Sequence, residues 1–565
     1  MCSDNAEKNQ IPASNRLCSR EQIRETDRRT IEEFGISGET LMEIAGGKAA
    51  EWIASHFSEG SSGVLFCGHG NNGGDALVSA RYLADRYRHH LTIVLAKPEF
   101  HGTPGWNHHF ALLKALPLDR IRIVSWAETK SEWLQSATPF AEFDYIVDGL
   151  TGTGLMNSLR APLDAIVERI NRSNRPVFSL DIPSGLDTNT GQILGSCVKA
   201  TTTLTFGSGK IGLYLEDGPA CAGYVITIEL PFPSHLQSTG AILANGQLLH
   251  TVMKRNDIPI SQPSKYKATR TAEHKYATGT IHILAGSEGL TGAAILAAQS
   301  AWDHGAGAVL LYSPAHLLPV YEKNLPRVIK IVVDDDGKSS QNPDQTRQNP
   351  DKWYNPTHIP NILNKIHEKP GVILLGPGVG RHPETLEFCR SIITETIGTY
   401  PLILDADALY AIDPQALRTT TKTIVKRTAA CILTPHPGEL RKALNIAFHD
   451  DHTRLEAVKR FAAENNCFLY SKGYPSIFAN PQNMAWITGY DTRVYARAGT
   501  GDQLAGAIAA TLNLFQEPED AVMMASIPQP LQPSHSSQPS HSSQPSHSSQ
   551  PSHPFQTRPG QPVTQ

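Results

Sequence analysis

The stretch ARAGTGDQLAGAIAATL, Ala496 to Leu512, sets one carboxylate where it could act as a base. Gly499, Thr500 and Gly501 come directly before Asp502, and an apolar helical pattern follows. Backbone N–H groups of such a loop could stabilise charge on a transferring phosphoryl group, while the acid takes a proton from an attacking hydroxyl. A purely structural interpretation stands beside this one, because Asp is favoured near helix N-termini and complements the helix dipole.

A second glycine-rich segment, CGHGNNGGDALVSARYLA, is predicted to form a loop between a strand and a helix. Gly70, Gly73 and Gly74 would let backbone N–H groups approach an anion at the helix N-terminus. Asn71 and Asn72 add side-chain donors and acceptors. The segment matches neither the Walker loop nor the usual dinucleotide fingerprint. It is therefore a weak signal by itself, because a tight turn would use the same residues.

Two more predicted strands of the first half end in an acid. DYIVDGLTGTGL runs into Asp148 and another glycine loop, and PVFSLDIPSGLD ends in Asp181 followed by Ser184. Any one of these acids could cap the next turn. Parallel sheets bind ligands at the carboxyl ends of their strands, so three such ends in one sheet favour a site there.

The elements that would position these residues alternate strand and helix patterns along most of the 565 residues. That alternation predicts an α/β protein with parallel sheets, and the length favours two or three domains. A Pro-rich break, LPFPSHLQSTG, separates two alternating blocks. We therefore predict two α/β domains, over 17–235 and 241–526, and a tail over 527–565. The family resemblance of the first domain, given below, implies that it is Rossmann-like, and GTGD resembles the anion hole of ribokinase-like phosphotransferases, which implies that the second is ribokinase-like.

Two segments lie outside the alternating pattern. The stretch from Asp334 to Asn364 is polar and turn-rich, and it is predicted to be a surface insertion. The repeat QPSHSS recurs from Gln532 to His553 with almost no apolar residue. Such a composition cannot offset the entropy of ordering, so the tail is predicted to be disordered.

Composition restricts the function classes. The formal net charge of −4 gives no reason to expect a nucleic acid or an anionic membrane as partner. No segment reaches the roughly 18 uninterrupted apolar residues that a membrane helix needs. The N-terminus lacks the apolar core of a signal peptide, and the eight cysteines form no CxxC pair. These features predict a cytoplasmic protein.

GNNGGDALVSARYL, VDGLTGTGL and LDIPSGLD, in this order and spacing, resemble the epimerase domain of NAD(P)H-hydrate repair enzymes over about Glu21 to Glu229. The resemblance implies that a potassium ion is held by Asn72, Asp148 and Ser184 and that Asp181 is the acid/base group. An oxygen-only ligand set suits a hard monovalent ion and would not suit zinc. The substrate-binding residues that it implies are Asn71, Asn72, Gly73, Gly74, Asp75, Gly152, Thr153, Gly154, Leu155 and Asp181.

The second half carries GTGD together with LLGPGVGR, LILDADALYAI, LTPHPGEL and KGYPSIF. This ordered series resembles the ADP- or ATP-dependent NAD(P)H-hydrate dehydratase domain over about Lys275 to Ala525. The resemblance implies a hydrated-dinucleotide site formed by Ala293, Gly378, His436 and Asp502. The residues implied for the adenine nucleotide, which would come with Mg²⁺, are Lys472, Gly473, Tyr474, Pro475, Ser476 and Gly501. Asp405 and Asp407 could be helix caps or could position Mg²⁺ and phosphate.

The two resemblances together predict a bifunctional enzyme that repairs hydrated NADH and NADPH (NADHX and NADPHX). Its first half would interconvert the R and S epimers, and its second half would dehydrate the S form using ADP or ATP. The alternative is a small-molecule kinase of the hydroxyethylthiazole type fused to a non-catalytic nucleotide-binding module. The family also suggests a homo-oligomer, with the dehydratase half forming tetramers.

Overall fold

Two β-sheets organise the part of the chain that the computed structural model describes, namely residues 11–97, 102–116, 119–259, 279–333, 354–414, 417–418, 429–515 and 517–527. The strands are β1 (Arg16–Cys18), β2 (Ser62–Cys67), β3 (His90–Leu95), β4 (Ile121–Ser125), β5 (Tyr145–Gly149), β6 (Val177–Leu180), β7 (Thr202–Phe206), β8 (Gly209–Lys210), β9 (Tyr224–Ile228), β10 (Ala241–Ala244), β11 (Thr280–Leu284), β12 (Ala308–Pro314), β13 (Ile329–Val333), β14 (Gly371–Leu375), β15 (Leu402–Leu404), β16 (Cys431–Leu433), β17 (Phe468–Ser471), β18 (Ile477–Ala479) and β19 (Ala485–Thr488).

Helices connect most of these strands and cover the sheets. They are α1 (Arg20–Arg29), α2 (Gly38–Ala54), α3 (Asn71–Asp85), α4 (Pro104–Lys114), α5 (Trp126–Gln135), α6 (Leu163–Asn171), α7 (Gly218–Ala222), α8 (Gly246–Arg255), α9 (Thr291–Asp303), α10 (Leu318–Asn324), α11 (Ile359–Glu368), α12 (Pro383–Thr396), α13 (Pro437–Lys442), α14 (Asp451–Glu464), α15 (Thr500–Leu514) and α16 (Pro518–Ser526). Several begin at the caps that their sequences indicate: Ser19 accepts a hydrogen bond from the Gln22 N–H in α1, and Asp450 accepts one from the Thr453 N–H in α14.

The first sheet has the strand order β4-β3-β2-β5-β6-β7-β9, and each neighbouring pair is parallel. The order reverses between β2 and β5, because the chain returns to pair β5 with β2 after building outward to β4. Doubly wound sheets bind ligands in the crevice at this point. The glycine-rich segment after β2 and Asp148 on β5 therefore lie on the two sides of the predicted crevice.

The second sheet runs β13-β12-β11-β14-β15-β16-β17-β18-β19-β10-β1-β8. From β13 to β17 every pair is parallel, so the carboxyl ends of these strands share one edge. At the far side, β10 pairs with β1 and β1 pairs with β8, both of which come from the first half of the chain. Two short strands of the first half thus extend the sheet of the second half. The predicted α/β class with parallel sheets is confirmed.

The prediction of a surface insertion from Asp334 to Asn364 is wrong for its described part, 354–364. Tyr354 is fully buried and donates its hydroxyl hydrogen bonds to the carbonyl oxygens of Ala285, at 3.0 Å, and Tyr312, at 2.6 Å. Ile362 of α11 belongs to the same apolar core. Polar residues dominate the sequence of this stretch, but its few apolar side chains pack into the core. Residues 334–353 lie outside the described residues.

The tail predicted over 527–565 lies outside the described residues apart from Ile527, which is buried against α16. Residues Pro518–Ser526 form the helix α16, which packs on α15. Within the described ranges, no helix is both long and apolar enough to cross a membrane.

Candidate active sites

The predicted glycine loop after β2 is the first turn of α3 rather than a loop, which corrects the expectation for Asn71 to Asp75. A side chain at Gly73 would overlap the carbonyl oxygen of Gly68, and one at Gly74 would overlap the thioether of Met42. The glycines therefore let α3 start directly against the end of β2 and against α2. Asn71 is exposed at this start, whereas Asn72 and Asp75 are buried.

Buried oxygen atoms converge between α3 and the end of β5. Asp148 accepts hydrogen bonds from the Ser184 hydroxyl at 2.6 Å, the Ser184 N–H at 2.9 Å and the Ser179 hydroxyl at 2.8 Å. Asn72 donates its amide to the Thr151 carbonyl at 2.9 Å, while its own Oδ1 is buried with no hydrogen-bond partner in the described structure. Burial raises the pKa of Asp148 despite those hydrogen bonds. The three residues predicted to hold potassium therefore lie together, with one oxygen unused.

The second glycine loop is held in place by a buried arginine of α1. Arg20 donates to the carbonyl oxygens of Thr153, at 2.7 Å, and Leu155, at 2.8 Å, and pairs with Asp187 at 2.7 Å. Gly152 lies against Asn72, since a side chain there would be 3.2 Å from the Asn72 Cβ. The segment from Gly152 to Leu155 thus lines the same crevice as the start of α3.

Asp181 occupies a strained backbone position at the end of β6, with φ of 64°. Non-glycine residues held in this region cluster at functional sites. Its carboxylate accepts the Phe206 N–H at 3.2 Å and contacts the ammonium of Lys210, which is fully buried. Lys210 also donates to the Thr205 hydroxyl and the Phe206 carbonyl, each at 2.9 Å.

Two further carboxyls share this environment. Burial and the charge of Asp181 raise the pKa of Asp27 to about 7, and the same causes, with Asp27 itself, raise that of Asp75 well above its usual value. Lys210 is the cation that opposes both shifts. The first site therefore combines a fixed ion pair with two carboxyls whose pKa values are raised.

In the second half, Asp502 lies in the first turn of α15, which begins after Gly499 in a left-handed conformation with φ of 88°. Burial, together with the negative charges of Asp405, Glu439 and Asp407, raises the pKa of Asp502 to about 6, and Lys472 opposes the rise. A carboxylate whose pKa is about 6 is suited to accepting a proton near neutral pH.

Lys472 joins three of the elements at this edge. Its ammonium lies 2.5 Å from the Asp405 carboxylate, which also accepts the Thr434 hydroxyl at 2.8 Å. A side chain at Gly501 would lie 3.0 Å from the Lys472 Nζ. Asp405, Thr434 and Lys472 directly follow β15, β16 and β17, so the shared edge of these parallel strands assembles the group.

Asp407 connects this group to the end of β14. It accepts the Gly380 N–H at 3.0 Å and pairs with Arg381 at 2.6 Å. Gly378, with φ of 62°, lies close to Ala293, because a side chain on the glycine would be 3.0 Å from the Ala293 Cβ. Ala293 and Gly378 therefore line the same edge, on the side nearer α9.

His436 is the most exposed of the predicted dehydratase residues. It caps α13 by accepting the Gly438 N–H on Nδ1 at 2.9 Å, and its Nε2 lies 3.4 Å from Glu439. Burial raises the pKa of Glu439. The charge of Glu439 helps to raise the pKa of Asp502, so Glu439 links His436 to the site around Asp502.

Hydrogen bonds to two carbonyl oxygens fix the segment Lys472 to Ser476. The Ser476 hydroxyl donates to the Gly473 carbonyl at 3.0 Å, and the buried Arg454 of α14 donates to the Pro475 carbonyl at 2.6 Å. The Tyr474 ring lies under the Arg493 guanidinium, 4.5 Å from its centre. Among the described contacts of this segment, the ion pair with Asp405 is made by the Lys472 side chain.

Comparison with known proteins gives a match in each half. Residues 38–212 match the family of the YjeF-related protein N-terminus, and residues 281–531 match the NAD(P)H-hydrate dehydratase family. The bifunctional NAD(P)H-hydrate repair enzyme Nnr of Salinibacter ruber is 32% identical over 491 residues, which cover 85% of this chain and 84% of that protein. The chain belongs to the family of bifunctional NAD(P)H-hydrate repair enzymes.

A second repair enzyme matches over a similar extent, and a solved dehydratase structure matches over a smaller part of the chain. The protein of that name from Moorella thermoacetica is 29% identical over 498 residues, 87% of each chain. An ADP/ATP-dependent NAD(P)H-hydrate dehydratase from Bacillus subtilis, co-crystallized with ATP/Mg²⁺, is 26% identical over 46% of this chain and 84% of its own, with a TM-score of 0.35. Membership of the repair-enzyme family favours the bifunctional interpretation over a kinase fused to a non-catalytic module.

Several charged residues at the two candidate sites could not be identified from the sequence. Lys210, Asp27 and Arg20 surround the first site, and Glu439, Arg381 and Arg454 surround the second. A lysine within the otherwise apolar GKIGLYL was the one visible signal, because an unpaired ammonium is rarely buried. Asp27, Arg20, Glu439 and Arg454 lie on helices, and Arg381 lies in the loop after β14. The individual roles of the residues named from the sequence stay predictions.

Proposed function

We propose that the chain repairs hydrated nicotinamide cofactors in two steps at two sites. The first half interconverts the R and S epimers of NADHX and NADPHX, and the second half dehydrates the S epimer with consumption of ADP or ATP. Family membership supports this pairing of activities. The observation that carries it is the position of two acids, Asp181 and Asp502, each beside the carboxyl ends of parallel strands in a different sheet.

At the first site Asn72, Asp148 and Ser184 hold potassium. The unused, buried Oδ1 of Asn72 and the buried carboxylate of Asp148 support this ligand set, and both are hard oxygen donors. A bound potassium ion supplies positive charge that offsets the cost of keeping Asp148 ionised. The hydroxyl and the N–H of Ser184 each fix one Asp148 oxygen, and Asn72 fixes the Thr151 carbonyl beside the glycine loop.

Epimerisation requires a bond at the hydroxyl-bearing ring carbon to break and to form again on the opposite face. Asp181 moves the proton that accompanies each event, and Lys210 holds its carboxylate in one orientation. The loop from Gly152 to Leu155, fixed by Arg20, and the first turn of α3 bind the dinucleotide.

At the second site Asp502 takes the proton from the ring hydroxyl of the S epimer, and the hydroxyl oxygen attacks the terminal phosphoryl group of the nucleotide. The bond from that phosphorus to the bridging oxygen breaks, and AMP leaves from ADP, or ADP from ATP, with the bond electrons. Phosphate then leaves with the C–O bond electrons, displaced by the lone pair of the ring nitrogen. Loss of a proton from the neighbouring ring carbon restores the reduced nicotinamide. Lys472 and the N–H groups of the first turn of α15 face the charge that develops on the phosphoryl group.

The remaining predicted residues bind the two substrates of this step. Ala293, Gly378 and His436 contact the hydrated dinucleotide, while the segment from Lys472 to Ser476 and Gly501 hold the adenine nucleotide. Magnesium would neutralise the nucleotide phosphates there, and the carboxylates of Asp405 and Asp407 would help to position it, since Mg²⁺ prefers such oxygens.

The setting of the protein is part of the proposal. We place it in the cytoplasm, as a homo-oligomer whose dehydratase halves associate. The cysteines of the described ranges are free and buried, which supports a reducing compartment.

Replacing each of the two acids by asparagine in turn tests the two-site mechanism. Asp502→Asn is expected to abolish recovery of reduced-nicotinamide absorbance from the S hydrate with ADP or ATP and Mg²⁺, while epimer exchange followed by chromatography continues. Asp181→Asn is expected to do the reverse. Loss of both activities from either substitution in a folded protein would contradict the mechanism, and phosphorylation of a thiazole alcohol in place of hydrate repair would support the kinase alternative.

A further inference from the structure

Arg454 is a buried arginine that serves the backbone of the proposed nucleotide segment. Its guanidinium donates to the Pro475 carbonyl at 2.6 Å and to the Lys472 carbonyl at 3.4 Å. Its side chain is 3% exposed, and it ion-pairs with Asp451 at 2.8 Å. Two contacts of this rigid fork therefore join α14 to the carbonyl oxygens on both sides of Gly473, while the pair with Asp451 fixes the guanidinium within its own helix.

The carboxylate that pairs with Arg454 is itself held by the first half of the chain. The Asp451 N–H, at the start of α14, donates to the Glu216 carboxylate at 2.6 Å, and the Glu216 N–H reaches the Asp451 carboxylate at 3.4 Å. Gln192 donates to Asp450 at 3.4 Å. The N-terminus of α14 thus receives an anion from the other half, in the orientation that the helix dipole favours.

The turn that carries Glu216 is fixed to the epimerase side of the molecule. Glu216 has φ of 46°, and the next N–H, of Asp217, donates to the Gly191 carbonyl at 3.1 Å. Gly191 donates in turn to the carbonyl of Asp187, the partner of Arg20, which holds the Thr153 and Leu155 carbonyls. A continuous series of hydrogen bonds and ion pairs therefore runs from the glycine loop of the first site to the nucleotide segment of the second.

We infer that Arg454 is a positioning residue for nucleotide binding and that Glu216 supports it from the first half, through Asp451. This inference rests on the proposed function, because it assumes that the segment from Lys472 to Ser476 binds ADP or ATP. The pair holds the segment in its binding geometry before the nucleotide arrives, so its loss weakens nucleotide affinity and leaves the chemistry of Asp502 intact. The first half thereby contributes to the affinity of a site whose proposed residues all lie in the second half.

Replacing Arg454 with lysine tests the inference in the full-length protein. A lysine can keep the ion pair with Asp451 but cannot donate to Pro475 and Lys472 together. Arg454→Lys is expected to weaken equilibrium binding of Mg²⁺–ADP and Mg²⁺–ATP about tenfold and to raise the nucleotide KM equally, with kcat changed less than threefold. Amide hydrogen exchange across 472–476 is expected to rise in the absence of nucleotide. Arg460→Lys, an exposed exchange on the same helix, is the matched control and is expected to change nothing.

Glu216 supplies the second variant pair. Glu216→Ala removes the acceptor at the start of α14 and is expected to weaken nucleotide binding two- to fivefold, whereas Glu216→Gln keeps an acceptor oxygen and is expected to restore most of it. Epimerase activity, at the other site, is expected to stay unchanged in all four variants. Unchanged nucleotide binding and exchange in Arg454→Lys overturn the inference while leaving the proposed function in place. A wild-type protein that binds neither nucleotide overturns both.

Discussion

The ammonium of Lys210 contacts the carboxylate of Asp181, although the two residues belong to different sheets. Asp181 follows β6 of the first sheet, and Lys210 lies on β8, at the edge of the second. The lysine has no exposed surface and fills its remaining donor positions with Thr205 and Phe206. The proposed acid/base group of the epimerase is therefore oriented by a strand that joins it to the sheet of the dehydratase half.

Lys210→Met is expected to lower the epimerase rate about 10- to 100-fold, within the range that a positioned acid/base group contributes. Lys210 opposes the raised pKa of Asp27 and of Asp75, so its loss raises the pKa of both carboxyls further, and the acidic limb of the epimerase pH profile should move to higher pH. The measurement is epimer exchange by chromatography between pH 5 and 9. Thr205→Val removes one neutral partner of the lysine and should leave the profile in place. A profile that does not move in Lys210→Met would contradict the role of the ion pair.

Dehydration is expected to depend on the ionisation of Asp502, whose pKa is raised to about 6 by burial and by the neighbouring carboxylates. The carboxylate is the active form, so the rate at saturating nucleotide should be constant above about pH 7 and fall about tenfold per pH unit below about 6. Stopped-flow absorbance with the pure S epimer measures this. A rate that stays constant down to pH 5 would rule out Asp502 as the base.

The raised pKa of Asp502 also predicts how the stability of the protein depends on pH. The pKa of Asp502 is higher in the folded protein than its ordinary value of 3.8, so ionisation opposes folding, and the cost grows as the pH rises from about 4 to above 6. Asp502→Asn should therefore raise the thermal midpoint more at pH 8 than at pH 5. Calorimetry of both proteins at both pH values checks this, and an equal gain at the two would argue against a shifted carboxyl.

Potassium is expected to stabilise the first site through the unused oxygen of Asn72. The thermal midpoint of the wild-type protein should rise with KCl and less with NaCl at equal ionic strength, because an ion that binds only the folded state stabilises it. Asn72→Ala should lose this difference and most epimerase activity, while Asn71→Ala, at the exposed neighbour, should keep the ion dependence. Dehydration of the pure S epimer is the internal control, since its site holds none of these ligands.

Gly506 is expected to be intolerant of any side chain. A Cβ at this position would overlap the carbonyl oxygen of Ala297, where α15 crosses α9. Gly506→Ala should lower the free energy of unfolding by about 3 kcal/mol, the upper end of overpacking costs. Gly292→Ala on α9, where a Cβ would meet no atom within 4 Å, should be neutral or slightly stabilising. Urea titrations compare the two, and equal stabilities would show that the helices can separate without cost.

The sequence alone was sufficient to predict the alternation of strands and helices and the acids at strand ends. Residues such as Asp148, Asp181 and Asp502 directly follow apolar strand patterns or begin an apolar helix, so local periodicity identifies both the element and the end at which the residue lies. The edge shared by parallel strands then implies that these residues meet, as Asp405, Thr434 and Lys472 do.

Tertiary structure decided the contacts between elements far apart in the chain. Local patterns could not show that Asn71 to Asp75 form a helical turn, because the glycines are required by the packing of α3 on Gly68 and Met42 rather than by a loop. Nor could they show that Tyr354 is buried, that Lys210 pairs with Asp181, or that Glu216 meets Asp451 235 residues later. A residue's type and neighbours determine which element it joins, but its partners depend on how separate elements approach one another, and no local periodicity encodes that.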